Sequence, residues 1–457
     1  MSKVLVSIFG STGDLAARKI LPSLVNLKNN FDLQIIAIGR REMNTSSYID
    51  FIIEKSQGKL KENDLNGFVE YLNMKFTDEH EYEKLYNKHQ GYADVTKRLY
   101  YLAVGPDFFE IITKSLSDNH LVEKNIIRDV IAFEKPFGED LESAKRINNF
   151  ISRFLTERQI FRIDHYLGKE MIQNIMMLRF ANRVIEDSWT KESIKSIKIF
   201  VKEKEGILNR SGYYDRAGAL RDMMQSHVLQ IASLLTMEPP KSYLSDDVKD
   251  KKVNALVNLE IDHKSTILAQ YEGYLSEKGI PKNSNTETFV FLKGFVKTKK
   301  FNGIPIYMLT GKKIDDKSAY IDVEFKETAE QKKWHLPLSK NILRISIAPE
   351  DGFYITLNSK VPGLRDQVKS VKLGYKIESD NIGNLSEAYE KLFSDIFGHH
   401  RTLFTRWDEI KASWNIIESV LKENHNIYKY DNFEDIINII KEQTGVDMSW
   451  CMMSQWE

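Results

Sequence analysis

The stretch RIDHYLGKE, residues 162–170, sets Asp164, His165, Tyr166 and Lys169 directly behind the apolar run QIFRI. A strand that ends in a carboxylate, an imidazole, a phenol and an ammonium suits a polar ligand, because open α/β sheets bind ligands outside the carboxyl ends of their strands. If a helix begins at Asp164 or His165, then His165 and Lys169 lie one turn apart on one face beside a helix N-terminus, which suits a phosphate. A helix capped by Asp164 with solvated neighbours fits the same letters. A second histidine lies in ALRDMMQSHVLQIASLL. There Leu220, Met223, Met224, Val228, Ile231 and Leu234 share one helical face, and His227 falls within it. A lone histidine in such a face is usually a core residue hydrogen-bonded to a neighbour.

Two further stretches could handle a nucleotide. In IFGSTGDLAARK, residues 8–19, Gly10 and Gly13 fill the second and third positions of G-x-G-x-x-G, while Ile8 stands at the first. The loop follows a first strand and opens a helix, where free N–H groups and the helix dipole favour a pyrophosphate. A plain glycine turn is the alternative. Pro22 falls inside this helix and is expected to kink it. The second strand ends IGRRE, so Arg40 and Arg41 occupy the place where an NAD site usually carries an acidic residue; two guanidiniums suit a 2′-phosphate and hence NADP. A solvated basic turn is the alternative there.

Those residues need elements to hold them. From Lys3 to about Ile163 the runs KVLVSIF, QIIAIG, RLYYLAV, RDVIAFE and QIFRI alternate with helical patterns, as in a doubly wound parallel sheet covered on both faces. Beyond Ile194 the runs SIKIFVKE, TETFVFLKGFV, IPIYMLT, YIDVEF, ILRISIA, FYITLN and SVKLGYKI follow one another with period-two alternation. That pattern predicts an antiparallel sheet with one wet face, covered by helices such as Leu220 to Leu235 and Trp407 to Leu421. The expected fold class is α/β plus α+β: a Rossmann-like N-terminal domain over 1–164 and a mainly antiparallel α+β domain over 165–457.

Bulk composition fits two domains. The chain has 457 residues, and 65 Lys+Arg balance 65 Asp+Glu, so there is no overall basic field for nucleic acid or an anionic membrane. Cys451 is the single cysteine, which excludes intramolecular disulfides and all-cysteine metal sites. No signal peptide or bilayer-spanning run is expected, and the default location is cytoplasmic.

Taken together, GSTGDLAARK (Gly10 to Lys19), EKPFG (Glu134 to Gly138), RIDHYLGKE, GYYDRAGALRDMMQSH (Gly212 to His227) and TGKK (Thr310 to Lys313) resemble the ordered motifs of glucose-6-phosphate dehydrogenases. The resemblance runs on through SIAPEDGFYITLNSKVPG to LFTRWDEIKASW. It departs from the family pattern at Ala17, where lysine is common, at Ser226, where asparagine is usual, and at Leu309, where an arginine commonly stands.

This resemblance implies oxidation of glucose 6-phosphate with a nicotinamide acceptor, NADP with NAD as a secondary cofactor, and no metal. It implies His227 as general base and Asp164 as the carboxylate that orients it. His165, Tyr166 and Lys169 would hold the 6-phosphate. Lys135 would lie between sugar and nicotinamide, serving both catalysis and cofactor binding. Glu203, Asp222, Lys312, Lys317 and Lys19 would contact the sugar or frame the pocket, and Gly10, Ser11, Thr12, Gly13, Asp14, Leu15, Arg40 and Arg41 would hold the cofactor. Homodimers or dimers of dimers are implied as well. Two other readings stand beside this one: an oxidoreductase for another aldose 6-phosphate, differing at Glu203 and Asp222, and a non-catalytic NADPH-binding sensor.

Overall fold

The computed structural model describes residues 2–335, 339–363, 367–377 and 388–448. Cys451 lies outside them. Two compact units divide the chain: Met1–Gly168 with Leu244–Asp246 and Ser386–Lys411, and Lys169–Tyr243 with Asp247–Leu385 and Ala412–Glu457.

The first unit is built on six parallel strands: β1 (Lys3–Phe9), β2 (Asp32–Gly39), β3 (Val69–Asn73), β4 (Lys97–Leu102), β5 (Asp129–Phe133) and β6 (Ile160–Arg162). Their order is β3-β2-β1-β4-β5-β6. Period-two alternation sends Val4, Val6 and Ile8 into one apolar cluster and Leu5 and Phe9 into the other, so both faces of β1 are dry. The first cluster also takes in Tyr389, Leu392, Phe393, Ile396 and Phe397 of the helix Ala388–Phe397, which comes from far along the chain to cover this sheet. On the other face the helix Leu141–Phe154 contributes Ile147 and Ile151, and its first turn is closed by Asp140, whose carboxylate accepts from Ser143 N at 2.7 Å.

β3 is absent from the sequence reading. It is a short edge strand with Glu70 and Asn73 in it, too polar to stand out as an apolar run. Lys135 therefore follows the fifth strand rather than the fourth. Pro22 also sits differently from expectation: the helix is a π-helix over Ala16–Ile20 followed by an α-helix over Leu21–Asn26, and Pro22 occupies the first turn of the latter, where a missing N–H is tolerated.

The second unit carries a ten-stranded mixed sheet. Its strands are β7 (Ile194–Lys202), β8 (Leu259–Ile261), β9 (Ile267–Tyr271), β10 (Phe289–Val296), β11 (Ile306–Gly311), β12 (Ser318–Phe325), β13 (Ile342–Ala348), β14 (Gly352–Lys360), β15 (Val368–Lys376) and β16 (Ile427–Tyr430). The order runs β15-β14-β13-β12-β7-β11-β10-β9-β16, with β8 on β10. Pairing is antiparallel except at β7·β11 and β9·β16.

The one-wet-face expectation fails in the middle of this sheet. Lys198, Asp322, Glu324 and Arg344 occupy the polar positions of the alternation, yet all are buried. They are tolerated because they pair: Lys198 Nζ donates to Glu324 at 2.7 Å, and the Arg344 fork meets both oxygens of Asp322 at 2.6 Å. The outer strand β15 is mostly exposed.

Candidate active site

In the first unit the glycine loop leaves β1 and turns under the end of β2. Gly10 N and Ser11 N both donate to Ile38 O, at 3.1 and 3.0 Å, and Gly13 N donates to Gly10 O at 3.0 Å. Gly10 has φ +82°, and a Cβ there would lie 2.4 Å from Ala103 O, so only glycine allows this turn. Tyr48 OH bonds Ser11 O at 3.1 Å, and Lys55 Nζ reaches Thr12 O and Asp14 Oδ1. Gly13 and Asp14 are exposed, Thr12 and Leu15 are half-buried with Leu15 packed against the first apolar cluster, and Lys19 is half-buried in the π-helix that follows. Arg40 and Arg41 both extend an exposed side chain just past β2. The Arg41 carbonyl is fixed by Tyr71 OH (2.8 Å) and Asn73 Nδ2 (2.7 Å), and its guanidinium stacks over Phe51 at 4.8 Å.

At the end of β5, Glu134 is a residue the sequence reading passed over. Its buried carboxylate accepts from Tyr101 OH, from Tyr389 OH at 3.0 Å and from Lys135 N at 3.2 Å. Burial holds its carboxyl above the usual range, and the charge of Asp164 adds to this. Lys135, half-buried, begins a cis peptide to Pro136.

Past β6 the chain does not begin a helix at Asp164 or His165. The Asp164 carboxylate accepts from Tyr166 N at 3.0 Å and its carbonyl from Leu167 N at 3.0 Å, closing a tight turn over 165–168. Gly168 is pressed so close to Ala388 that a Cβ would lie 2.6 Å from its carbonyl oxygen. The helix proper is Glu170–Phe180, with Lys169 as its N-cap. His165 and Lys169 are thus not neighbours on one helical face. His165 instead lies parallel to the Tyr389 ring at 6.5 Å and meets Tyr166 edge-on at 5.0 Å. Asp164 is buried; His165, Tyr166 and Lys169 are half-buried.

In the second unit, the segment read as one α-helix is a π-helix over Leu220–Val228 continued by an α-helix over Leu229–Thr236. All eight residues of the α-helix are buried, so this half of the stripe is fully enclosed, whereas the π-helix keeps one buried face and leaves Arg221, Gln225 and Ser226 half-buried. His227 (1% exposed) and Asp222 (5%) are both buried on the π-helix, and Tyr213 OH donates to Asp222 Oδ1 at 3.2 Å. Lys312, just past β11, donates to Glu203 Oε2 at 2.6 Å, and its ammonium lies 5.1 Å from the Tyr214 ring. Burial, with Asp222, Glu287, Tyr430 and Glu203 around it, pushes the Tyr214 phenol well above its ordinary range. The structure therefore brings Glu203, Asp222, Lys312 and Tyr214 into one polar cluster. Lys317 is an exposed loop residue before β12. Tyr214 and Glu287 were not singled out from the sequence; the tyrosine lay inside a quoted motif and the glutamate inside a quoted strand.

Among known proteins, the family pattern described as glucose-6-phosphate dehydrogenase, NAD binding domain, matches residues 7–174, and that of the C-terminal domain matches residues 176–436. The glucose-6-phosphate 1-dehydrogenase of Streptococcus pneumoniae is 34% identical over 455 residues, covering 92% of this chain and 90% of that protein. That of Rhizobium meliloti is 36% identical over 448 residues, covering 91% and 90%. A solved structure of glucose-6-phosphate dehydrogenase in complex with its substrate glucose-6-phosphate superposes with a TM-score of 0.87 at 29% identity, covering 97% of this chain and 98% of that one. The Mycobacterium avium enzyme superposes with a TM-score of 0.84 at 32% identity, covering 94% and 93%. With both halves of the pattern present in order and a dehydrogenase architecture beneath them, this chain belongs to the glucose-6-phosphate dehydrogenase family.

Proposed function

We propose that this protein oxidises glucose 6-phosphate to 6-phosphogluconolactone with NADP as acceptor, the first step of the oxidative pentose phosphate pathway. The observation that carries the reading is the unbroken match of both family domains through residues 7–174 and 176–436.

His227 takes the proton of the C1 hydroxyl while the C1 hydrogen leaves with its electron pair as hydride. Asp164 orients the imidazole and stabilises the imidazolium. His165, Tyr166 and Lys169 hold the 6-phosphate. Glu203, Asp222 and Lys312 face the sugar hydroxyls, with Lys317 and Lys19 at the rim and Lys135 between sugar and nicotinamide. Burial of Lys312 against Glu203 supports this role, because such a pair is an ordered donor and acceptor rather than a solvated charge.

A dinucleotide fits the residues present. The cradle at Gly10 has no room for a Cβ, and Arg40 and Arg41 stand exposed where a 2′-phosphate would be met. NADP, when bound, supplies the two-electron acceptor; the loop Gly10, Ser11, Thr12, Gly13, Asp14 and Leu15 holds its pyrophosphate. In this reading residues 1–164 bind the cofactor and 165–457 bind the substrate and form a homodimer or a dimer of dimers. Exposed Leu373 and Tyr375 on the outer strand β15 support a partner surface there. No helix among the described residues is long and apolar enough to cross a membrane, and we assign the protein to the cytoplasm.

The experiment is His227→Asn, with kcat, substrate dissociation constants and melting temperature read on one preparation. Loss of a general base lowers kcat by about 10² to 10⁴ with binding nearly unchanged. A stable, fully active variant contradicts the mechanism.

A further inference from the structure

Asp222 and His227 are five residues apart. In an α-helix, at about 100° per residue, they would point about 140° away from each other. A π-helix closes its bonds from i to i+5 and so turns less per residue, which brings residues five apart much nearer to one face than an α-helix does. The segment Leu220–Val228 is wound in this way: Leu229 N bonds Met224 O. That winding carries His227 nearer to the side on which Asp222 stands than an α-helix would, and both residues are buried.

The start of that winding is held by one residue from outside it. Gly218 breaks the preceding helix Ser211–Ala219 with φ +62° and ψ −179°, a conformation essentially confined to glycine. A Cβ at Gly218 would lie 2.3 Å from Glu287 Oε1. The next two N–H groups are taken by the same glutamate: Ala219 N donates to Glu287 O at 3.0 Å and Leu220 N to Glu287 Oε1 at 3.0 Å. The segment leading to Glu287 is itself fastened to the helix before the break. Ser284 Oγ donates to Asp215 Oδ1 at 2.5 Å, and Thr286 Oγ1 to Asp215 O at 2.6 Å.

We propose that Glu287, seated against Gly218, is a positioning residue that sets the register of the π-helix and thereby the alignment of His227 with Asp222. The proposal rests on the reading of His227 as general base. Glu287 is buried and its carboxyl is pushed up to about 6, but an acceptor oxygen for Leu220 N is present in either protonation state. A neutral amide can therefore replace it.

The test is a cycle of Glu287→Ala, Glu287→Gln and His227→Asn, singly and combined, with kcat measured per folded molecule as judged by circular dichroism. Glu287→Ala is expected to lower kcat about 10²-fold, the cost typical of a small misplacement of a reacting group. Glu287→Gln recovers most of that loss. In the His227→Asn background Glu287→Ala has almost no further effect, because the two act in series. Wild-type kcat in folded Glu287→Ala, a loss in Glu287→Gln equal to that in alanine, or an equal fall on both backgrounds overturns the proposal while leaving the base assignment intact. Full activity of His227→Asn alone overturns the base assignment and the proposal with it. If Glu287→Ala does not fold, Glu287→Asp, which withdraws the oxygen by one methylene, is read by the same criteria.

Discussion

Replacing Arg40 and Arg41 together with alanine tests the proposed 2′-phosphate contact apart from the rest of the nucleotide. The main chain at this point is fixed independently of the side chains, since Tyr71 OH and Asn73 Nδ2 both hold the Arg41 carbonyl. The glycine loop is tied to β2 at Ile38, before either arginine. The substitution therefore leaves the glycine loop in place. A hydrogen bond to a charged group contributes about 1.5 to 3 kcal/mol. Both guanidiniums are exposed, which puts each at the lower end, and the pair then amounts to about 3 kcal/mol, or about 150-fold in Kd for NADP. NAD has no 2′-phosphate, and its Kd should change by less than about threefold. Loss of the Arg41 stack on Phe51, at 4.8 Å, costs about 0.5 to 1 kcal/mol of folding stability and acts on both cofactors alike. The assay is fluorescence titration of NADPH and NADH into wild type and variant, with melting temperature as control. Equal weakening of both cofactors refutes the assignment.

Alanine at His165 or Lys169 should raise KM for glucose 6-phosphate far more than it alters use of unphosphorylated glucose; if both sugars suffer alike, the phosphate is held elsewhere. His89 gives a pH dependence. Its ring is buried against Ser7 and Tyr100, and burial first, with Arg98 adding to it, lowers its pKa to about 3. A depressed folded-state value means stability that is complete above the unfolded pKa of about 6.5 and is lost as pH falls toward 3; at pH 5 the loss is about 2 kcal/mol. Urea unfolding at pH 7 and pH 5 should show this slope in wild type and not in His89→Gln, and an unchanged slope in the variant rules it out.

Much of the first unit was legible because its central strands are buried on both faces and read as unbroken apolar runs, KVLVSIF and RDVIAFE among them. The polar edge strand β3 and the short β8, β9 and β16 carry no such signal. Nor does anything local announce that the helix Ala388–Phe397 returns to cover the first sheet. In the second unit, alternation located most strands but misjudged their outer face, because Lys198, Asp322, Glu324 and Arg344 are buried by pairing across strands, a fact of register rather than of composition. The glycine loop and the two histidines could be picked out as side chains. The π winding that carries His227 could not, since α and π helices share the same apolar letters, and the glutamate that accepts from Leu220 N at its start stands 67 residues away in sequence.

Reduction of nicotinamide by the purified protein with glucose 6-phosphate, comparing NADP with NAD, tests the proposed activity directly. Steady turnover with NADP is expected, with slower turnover with NAD, and none in His227→Asn beyond about a hundredth of the wild-type rate. No reduction of either cofactor by the folded wild-type protein contradicts it.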